Sequence, residues 1–338
     1  MMSATYLNSF EDILAGKTSV LILPHNDPDP DAIASAVGLR YLLKQKFNIE
    51  SKIAFRGHIG RAENKALARY LDKPLRHFHH NDLQSASVIA LVDTQPGAGN
   101  NPLPTKRTAD IVIDHHIART GSQTAHFVDV RPKLGASSTI LTEYLLEAEI
   151  DPPTQLATAL FYGIKTDTMG LSRRASPSDV DAYFYLQSRI DVNALVQIEQ
   201  AQVPLAYFRS IDKAMHAGRV YDNDTVIAYL GKLSYPDLSA EIADFFMRLK
   251  GIKWVLCKGV YGNELILSVR SRSKKVGAGW LVQDIIKDRG TAGGHGTMAA
   301  GHIDLTSGED PEQLAADLEK ATLLHLKGTQ DVACKPLI

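Results

Sequence analysis

Short unbroken apolar runs alternate with helix-period segments through the first half of the chain. Residues 20–23, 87–92 and 110–113 are rich in Val, Ile and Leu and show no polar alternation. That pattern belongs to strands buried on both faces. Between the first two, residues 32–43 repeat apolar positions at helical spacing, and 156–161 form a further apolar segment. The second half changes character. A polar stretch at 172–179 leads into helical sequence that runs to about residue 217, with 211–218 as a connection between domains. Strand-like runs then follow at 225–230, 254–257 and 264–270, with amphipathic helices expected at 241–249 and 279–287. The pattern predicts an α/β protein. A mainly parallel sheet with flanking helices occupies residues 1–190, a helical linker 191–219, and a smaller mixed α/β domain 220–338, with a cleft between the two domains. There is no internal repeat and no low-complexity tract.

What each early strand delivers at its carboxyl end changes the picture. The first is followed by His25-Asn26-Asp27-Pro28-Asp29-Pro30-Asp31, the second ends in Asp93, and the third ends in Asp114-His115-His116. Asp167 follows the apolar segment at 156–161. In a parallel sheet these ends lie along one edge, where open α/β folds place their ligands. Pro28 and Pro30 stiffen the first turn. Each residue has an ordinary reading as well: Asp31 as a helix cap, Asp93 as a turn residue, Asp167 as a helix end. Four segments repeating one pattern argue for a shared site. Carboxylates and imidazoles without thiolates suit Mn²⁺, and less well Mg²⁺, and argue against a Cys-rich zinc site.

The order His-x-x-Pro-Asp-x-Asp, strand-Asp, Asp-His-His and Thr166-Asp167-Thr168 resembles the DHH phosphoesterase superfamily. That superfamily includes RecJ-like exonucleases, nanoRNases that also dephosphorylate pAp, cyclic-dinucleotide phosphodiesterases and family II pyrophosphatases. The resemblance implies two Mn²⁺ ions, with Mg²⁺ as a substitute. His25 and Asp29 would hold one ion; Asp31, His115 and Asp167 would hold the other; Asp93 would bridge them and be catalytic. His116 would be the catalytic neighbour that faces substrate, and Asp114 would orient an imidazole. Two such ions about 4 Å apart can activate a bridging water and stabilise both oxygens of an in-line displacement.

Near the end stands Gly293-Gly294-His295-Gly296-Thr297-Met298-Ala299-Ala300-Gly301. As a glycine-rich turn it could cradle an anion, and it reads equally as a plain loop. In a DHH-like chain it resembles the Gly-Gly-His signature of the DHHA1 substrate-binding domain, with Arg270-Ser271-Arg272 as the accompanying segment. Two departures stand out: three residues separate His295 from Ala299, and Ala292 replaces a glycine. By resemblance Arg270, Gly293, Gly294 and His295 would hold the substrate, and Arg272 would lie on the same strand face as Arg270. The small-residue segment 135–139 before a helical run reads equally as ordinary capping or as an anion site at a helix amino end, and the resemblance implies that Ser138 there faces substrate. The His77-Phe78-His79-His80 tract reads as a solvated turn, Arg173 and Arg174 as exposed, and Phe245-Phe246 as core.

Charge narrows the substrate. Thirty-seven basic and thirty-eight acidic residues in 338 leave a formal net charge of −1, with no run of five or more Lys/Arg. Proteins that track long nucleic acid use many phosphate contacts, so the expected partner is a short nucleotide and no long nucleic acid. Cys257 and Cys334 carry no spacing signal for a disulfide. No apolar stretch approaches the ~20 residues of a membrane span, and no signal peptide is visible, so no membrane contact and a cytoplasmic location are expected. The reading is hydrolysis of short linear oligonucleotides, dinucleotides such as pGpG or pApA above all, to mononucleotides. Alternatives are a pAp 3′-phosphatase or general nanoRNase, a cyclic-dinucleotide phosphodiesterase (less favoured, as those enzymes often carry membrane or sensor segments), and a non-enzymatic nucleotide sensor. The resemblance also allows a homodimer.

Overall fold

A computed structural model describes residues 5–273, 277–305 and 308–338. The chain divides after Ala201 into two compact units. The stretch expected as a linker is itself divided, with 191–201 in the first unit and the rest in the second.

The first unit holds strands β1 (Ser19–Pro24), β2 (Glu50–Phe55), β3 (Leu75–His77), β4 (Val88–Val92), β5 (Ile111–Asp114) and β6 (Phe127–Val130). They form one sheet in the order β3-β2-β1-β4-β5-β6, and every pairing is parallel. Its helices are α1 (Thr5–Leu14), α2 (Pro30–Phe47), α3 (Ala62–Tyr70), α4 (Asp82–Ser85), α5 (Ser137–Glu147), α6 (Thr154–Asp167), α7 (Pro177–Gln187) and α8 (Val192–Glu199). The unbroken apolar runs follow from burial on both faces. In β1, Val20 and Ile22 join the large core under the helices, while Leu21 and Leu23 join a second cluster on the opposite face. Helix α2 runs through the core: every residue from Pro30 to Leu39 is buried. Its small residues permit that, since a Cβ on Gly38 would already lie 3.3 Å from Leu141 and Leu160.

The second unit holds α9 (Leu205–Ala217), α10 (Leu238–Phe246), α11 (Ala278–Ile286) and α12 (Pro311–Lys327). Its strands are β7 (Arg219–Tyr221), β8 (Thr225–Lys232), β9 (Trp254–Tyr261), β10 (Glu264–Ser271), β11 (Gly290–His295), β12 (Met298–Asp304) and β13 (Cys334–Pro336). The sheet order is β11-β12-β10-β9-β8-β7-β13. Only β8 and β9 pair in parallel, so this sheet is mixed. Alternation along β9 divides two cores, with Leu256 on one side and Val255 and Cys257 on the other.

Three expectations are corrected. The Gly293-Gly294 segment is an edge strand rather than a turn, because β12 supplies it with a full antiparallel partner. Residues 211–218 are mostly the second half of α9. Phe245 is 41% exposed and only Phe246 is core, since α10 turns one of two adjacent residues away from the sheet. Cys257 is buried, Cys334 is exposed and both are free thiols. Among the described residues no helix is long and apolar enough to cross a membrane.

Candidate metal centre

The order of the first sheet reverses between β1 and β4, and that switch point is where α/β sheets open a crevice at their carboxyl ends. The chemistry gathers there. β1 leads through His25 and Asp29 into α2, whose first turn carries Asp31. β4 is followed by Asp93, β5 ends at Asp114 just before His115 and His116, and α6 ends on Asp167.

Three groups of potential ligand atoms result: His25, Asp29 and Asp93; Asp31, His115 and Asp167; and Asp93, His115 and His116. Within each, the ligand atoms lie within 4.8 Å of one another. His25 Nε2 is 3.6 Å from Asp29 Oδ1 and 3.5 Å from Asp93 Oδ2. His115 Nε2 is 3.4 Å from Asp93 Oδ1, 3.4 Å from Asp167 Oδ2 and 3.9 Å from Asp31 Oδ2. The two carboxylate oxygens of Asp93 thus face different imidazoles.

The surroundings fix these orientations. Asp29 Oδ1 accepts from Ala32 N at 3.0 Å and caps α2. The backbone carbonyls of Asn26 and Leu134 lie 2.7 and 3.3 Å from Nδ1 of His25 and His115, so in each ring Nε2 is the nitrogen turned to the carboxylates. Asp31, fully buried, accepts from Ser137 N at 2.7 Å and Ser138 N at 2.8 Å. These are the unsatisfied amides of the first turn of α5, and a carboxylate suits that helix end. Ser137 Oγ donates to Asp93 Oδ1 at 2.9 Å. The expected anion site at this helix end is therefore occupied from within. Ser138 is wholly buried, and its backbone N–H serves Asp31. The sequence reading found the small-residue segment but missed Ser137 as the group that steadies Asp93.

Crowding shapes the acid–base behaviour. Burial, reinforced by the Asp167 carboxylate, pushes Asp31 up to about 7. Burial and the nearby Asp31 raise Asp93 well above the usual carboxylate range. Burial alone would lower His25, but its hydrogen bond and charge attraction to Asp29 outweigh that and raise it to about 9. His115 is likewise raised against burial by Asp167, Asp93 and Asp31. Asp29 moves the other way: its contact with His25 overcomes burial and holds it low. Four carboxylates crowded against two imidazoles is an arrangement that divalent cations would hold together. The residues fit such ions. The donors are all O and N, and His115 Nε2 is a buried nitrogen without a hydrogen-bond partner, surrounded by carboxylate oxygens.

His116 is half-exposed at its side chain, with Nδ1 2.8 Å from Asp114 Oδ1. Asp114 is buried, and its bonds to His116 and Gln95 outweigh the burial and keep it in the ionised range. It therefore accepts, and His116 Nδ1 donates.

Helix α6 approaches this group closely at Gly163, where an added Cβ would lie 2.4 Å from Ser138 Oγ and 3.1 Å from Asp31 Oδ1. Gly163→Val is expected to displace Asp31 and weaken divalent-ion binding by about 10–100-fold, the scale seen when groups behind metal ligands are disturbed. A calorimetric metal titration checks this; unchanged affinity would mean that α6 retreats without moving Asp31.

The second unit's predicted residues fall differently. Arg270 is 8% exposed; Nε meets Asp244 Oδ1 of α10 at 2.5 Å, and Nη1 donates to Val269 O. The alternation of β10 points Ser268 and Arg270 toward α10, where Asp244 pairs the guanidinium. Arg272 lies just beyond the end of β10, is exposed, and donates to Met247 O at 2.6 Å, at the carboxyl end of the same helix that Arg270 faces. Gly293 and Gly294 lie on β11. Gly294 has φ +136, and a Cβ there would fall 2.4 Å from Ala299 Cα, so this position requires glycine. The backbone of His295 closes β11; its side chain lies outside the described residues.

The first unit is thus an α/β domain with an all-parallel sheet and, at its switch point, a His/Asp cluster that could hold metal ions. Residues 19–164, within the first unit, match the DHH family, N-terminal domain. It is 38% identical over 322 residues to an uncharacterized protein of Methanocaldococcus jannaschii, covering 93% of this chain and 65% of that one. It is 26% identical over 159 residues to a probable manganese-dependent inorganic pyrophosphatase of Streptococcus equi subsp. zooepidemicus (45% of this chain, 49% of that one). It is also 26% identical over 327 residues to a cyclic-di-AMP phosphodiesterase of Geobacillus thermodenitrificans (91% and 48%). The chain thus spans between about half and two thirds of these relatives' lengths. The crystal structure of an exopolyphosphatase-related protein from Bacteroides fragilis shares the fold, with a TM-score of 0.74, 16% identity, and coverage of 95% of this chain and 96% of that one.

Proposed function

We propose that this protein is a divalent-metal-dependent phosphodiesterase that hydrolyses short linear oligonucleotides, dinucleotides such as pGpG or pApA foremost, to nucleoside monophosphates. The observation that carries the reading is Asp93: it belongs to two three-residue groups that otherwise draw on different strands, the arrangement a bridging ligand requires. His25 and Asp29 would hold one ion, Asp31, His115 and Asp167 the other, and Asp93 both. Mn²⁺ is the ion proposed, since oxygen and imidazole donors suit it and one relative is named as manganese-dependent. When bound, the pair supplies a lowered pKa for water and neutralisation of phosphate charge. The chain's own part is to hold the ions through ligands braced by α5, and to present His116 from the Asp114 carboxylate to the phosphate.

The nucleotide substrate class is supported by the extent of the likenesses. Similarity to the pyrophosphatase covers 159 residues, whereas similarity to the cyclic-di-AMP phosphodiesterase covers 327 and runs through both units. That same observation favours a second reading, hydrolysis of the cyclic dinucleotide itself. The test is turnover with Mn²⁺ of pGpG, pApA, a five-nucleotide RNA, pAp, cyclic di-AMP and pyrophosphate, with a chelated control. Fast cleavage of linear dinucleotides is expected. Preferential cleavage of cyclic di-AMP would establish the second reading. Comparable turnover of pAp and the pentamer would make it a general nanoRNase and 3′-phosphatase, and no metal-dependent turnover of any would leave a nucleotide-binding sensor.

A further inference from the structure

Gln95 lies two residues beyond Asp93 and is 1% exposed. Its amide makes four hydrogen bonds, which is all it can make. Nε2 donates to Asp114 Oδ2 at 2.6 Å and to Ile117 O at 3.1 Å. Oε1 accepts from Arg119 N at 2.7 Å and from Ser122 Oγ at 2.8 Å. The orientation of the amide admits no flip, because the peptide N–H of Arg119 can only donate and the carbonyl of Ile117 can only accept. Asp114 in turn gives its other oxygen to the backbone amides of His115 and His116, at 2.8 and 3.2 Å, and to His116 Nδ1 at 2.8 Å. One chain of bonds therefore runs from the 119–122 segment through Gln95 and Asp114 to the imidazole of His116. A carboxylate held by one oxygen alone can rotate about its bond; held by both, it offers the ring a single direction.

We infer that Gln95 is a positioning residue for His116: by clamping Asp114 it fixes the ring so that Nε2 serves the substrate phosphate. The inference rests on the phosphodiesterase reading above. Glutamine is required in both halves of its amide. Gln95→Glu keeps the acceptor for Arg119 and Ser122 but replaces the donor to Asp114 Oδ2 with a second oxygen 2.6 Å away, so that acceptor faces acceptor. Gln95→Leu removes both donors and leaves Asp114 Oδ2 without its partner.

The experiment is a double-mutant cycle on the Mn²⁺-loaded full chain with a linear dinucleotide. Gln95→Leu and Gln95→Glu are each expected to lower kcat about 10–100-fold, as outer partners of site residues do, with KM and metal stoichiometry unchanged. In a His116→Ala background either substitution should cost almost nothing further, since the ring it positions is gone. Equal losses in both backgrounds, or loss of bound metal in the Gln95 variants, would overturn the inference and make Gln95 a brace for the loop. Turnover by the unaltered protein is the separate control: its absence would overturn the proposed function and this inference together, whereas additive losses in an active enzyme overturn the inference alone.

Discussion

Asp93→Asn should lower kcat by about 10³-fold or more, because a bridging carboxylate contributes several kcal/mol of charge balance around a two-metal centre. Asparagine is the right substitution. Asp93 has φ 58, in the left-handed region, which Asn tolerates and which costs a residue such as Ala about 1–2 kcal/mol. Its backbone N–H also donates to Ile113 O at 2.9 Å, a bond that Asn keeps. The melting temperature and circular dichroism of the variant should therefore stay near those of the unaltered chain while activity vanishes and fewer than two ions bind. Near-normal turnover would sink the two-metal scheme. Asp93→Ala is expected to lose activity and to melt earlier, and that difference separates the charge of the side chain from the strain of its backbone.

Chelation should abolish turnover and make stability fall as pH rises. The sign follows from the site. Asp31 is raised from its ordinary value near 4 to about 7, so the stability its protonated form contributes is fully present below about pH 4 and is lost as pH passes 7. His25 is raised from near 6.5 to about 9, and its contribution is lost as pH rises through 9. Asp29 is lowered, so its contribution is complete above its ordinary range and does not vary across this window. The chelated protein should melt at progressively lower temperature from pH 5 to pH 9. The Mn²⁺-loaded protein should diverge from it with rising pH, because ligands must be deprotonated and metal binding then releases fewer protons. Calorimetric metal titrations in buffers of different ionisation enthalpy would count those protons. A gap between loaded and chelated protein that narrows toward pH 9 would contradict the coupling.

The strands that bear the chemistry were legible because burial on both faces of a parallel sheet leaves runs such as Val20-Leu21-Ile22-Leu23, and those runs end in His and Asp. Strands β2 and β6 were not, since exposed positions interrupt them: β2 begins with three residues that are not buried, and Val128 in β6 is 41% exposed. β11 escaped notice for a different reason. Its glycines carry no side-chain pattern, and only its pairing with β12 makes it a strand. The candidate His and Asp positions could be read from the strand ends, and their assignment to two ions came from the resemblance. The second partners could not. Ser137 on Asp93, the α5 amides on Asp31 and Asp244 on Arg270 are meetings across distant segments, and nothing local announces them.

The first unit's sheet is parallel throughout, and the residues at its switch point come from positions as far apart as His25 and Asp167, a separation of 142 residues (167 − 25). A ribosome adding about 5–20 residues per second emits the two roughly 7–28 s apart. For that interval the group of Asp31 and His115 lacks Asp167, while His25, Asp29 and Asp93 can already meet. Early order in the emerging domain then draws on burial of the apolar strands around α2 before the cluster is complete.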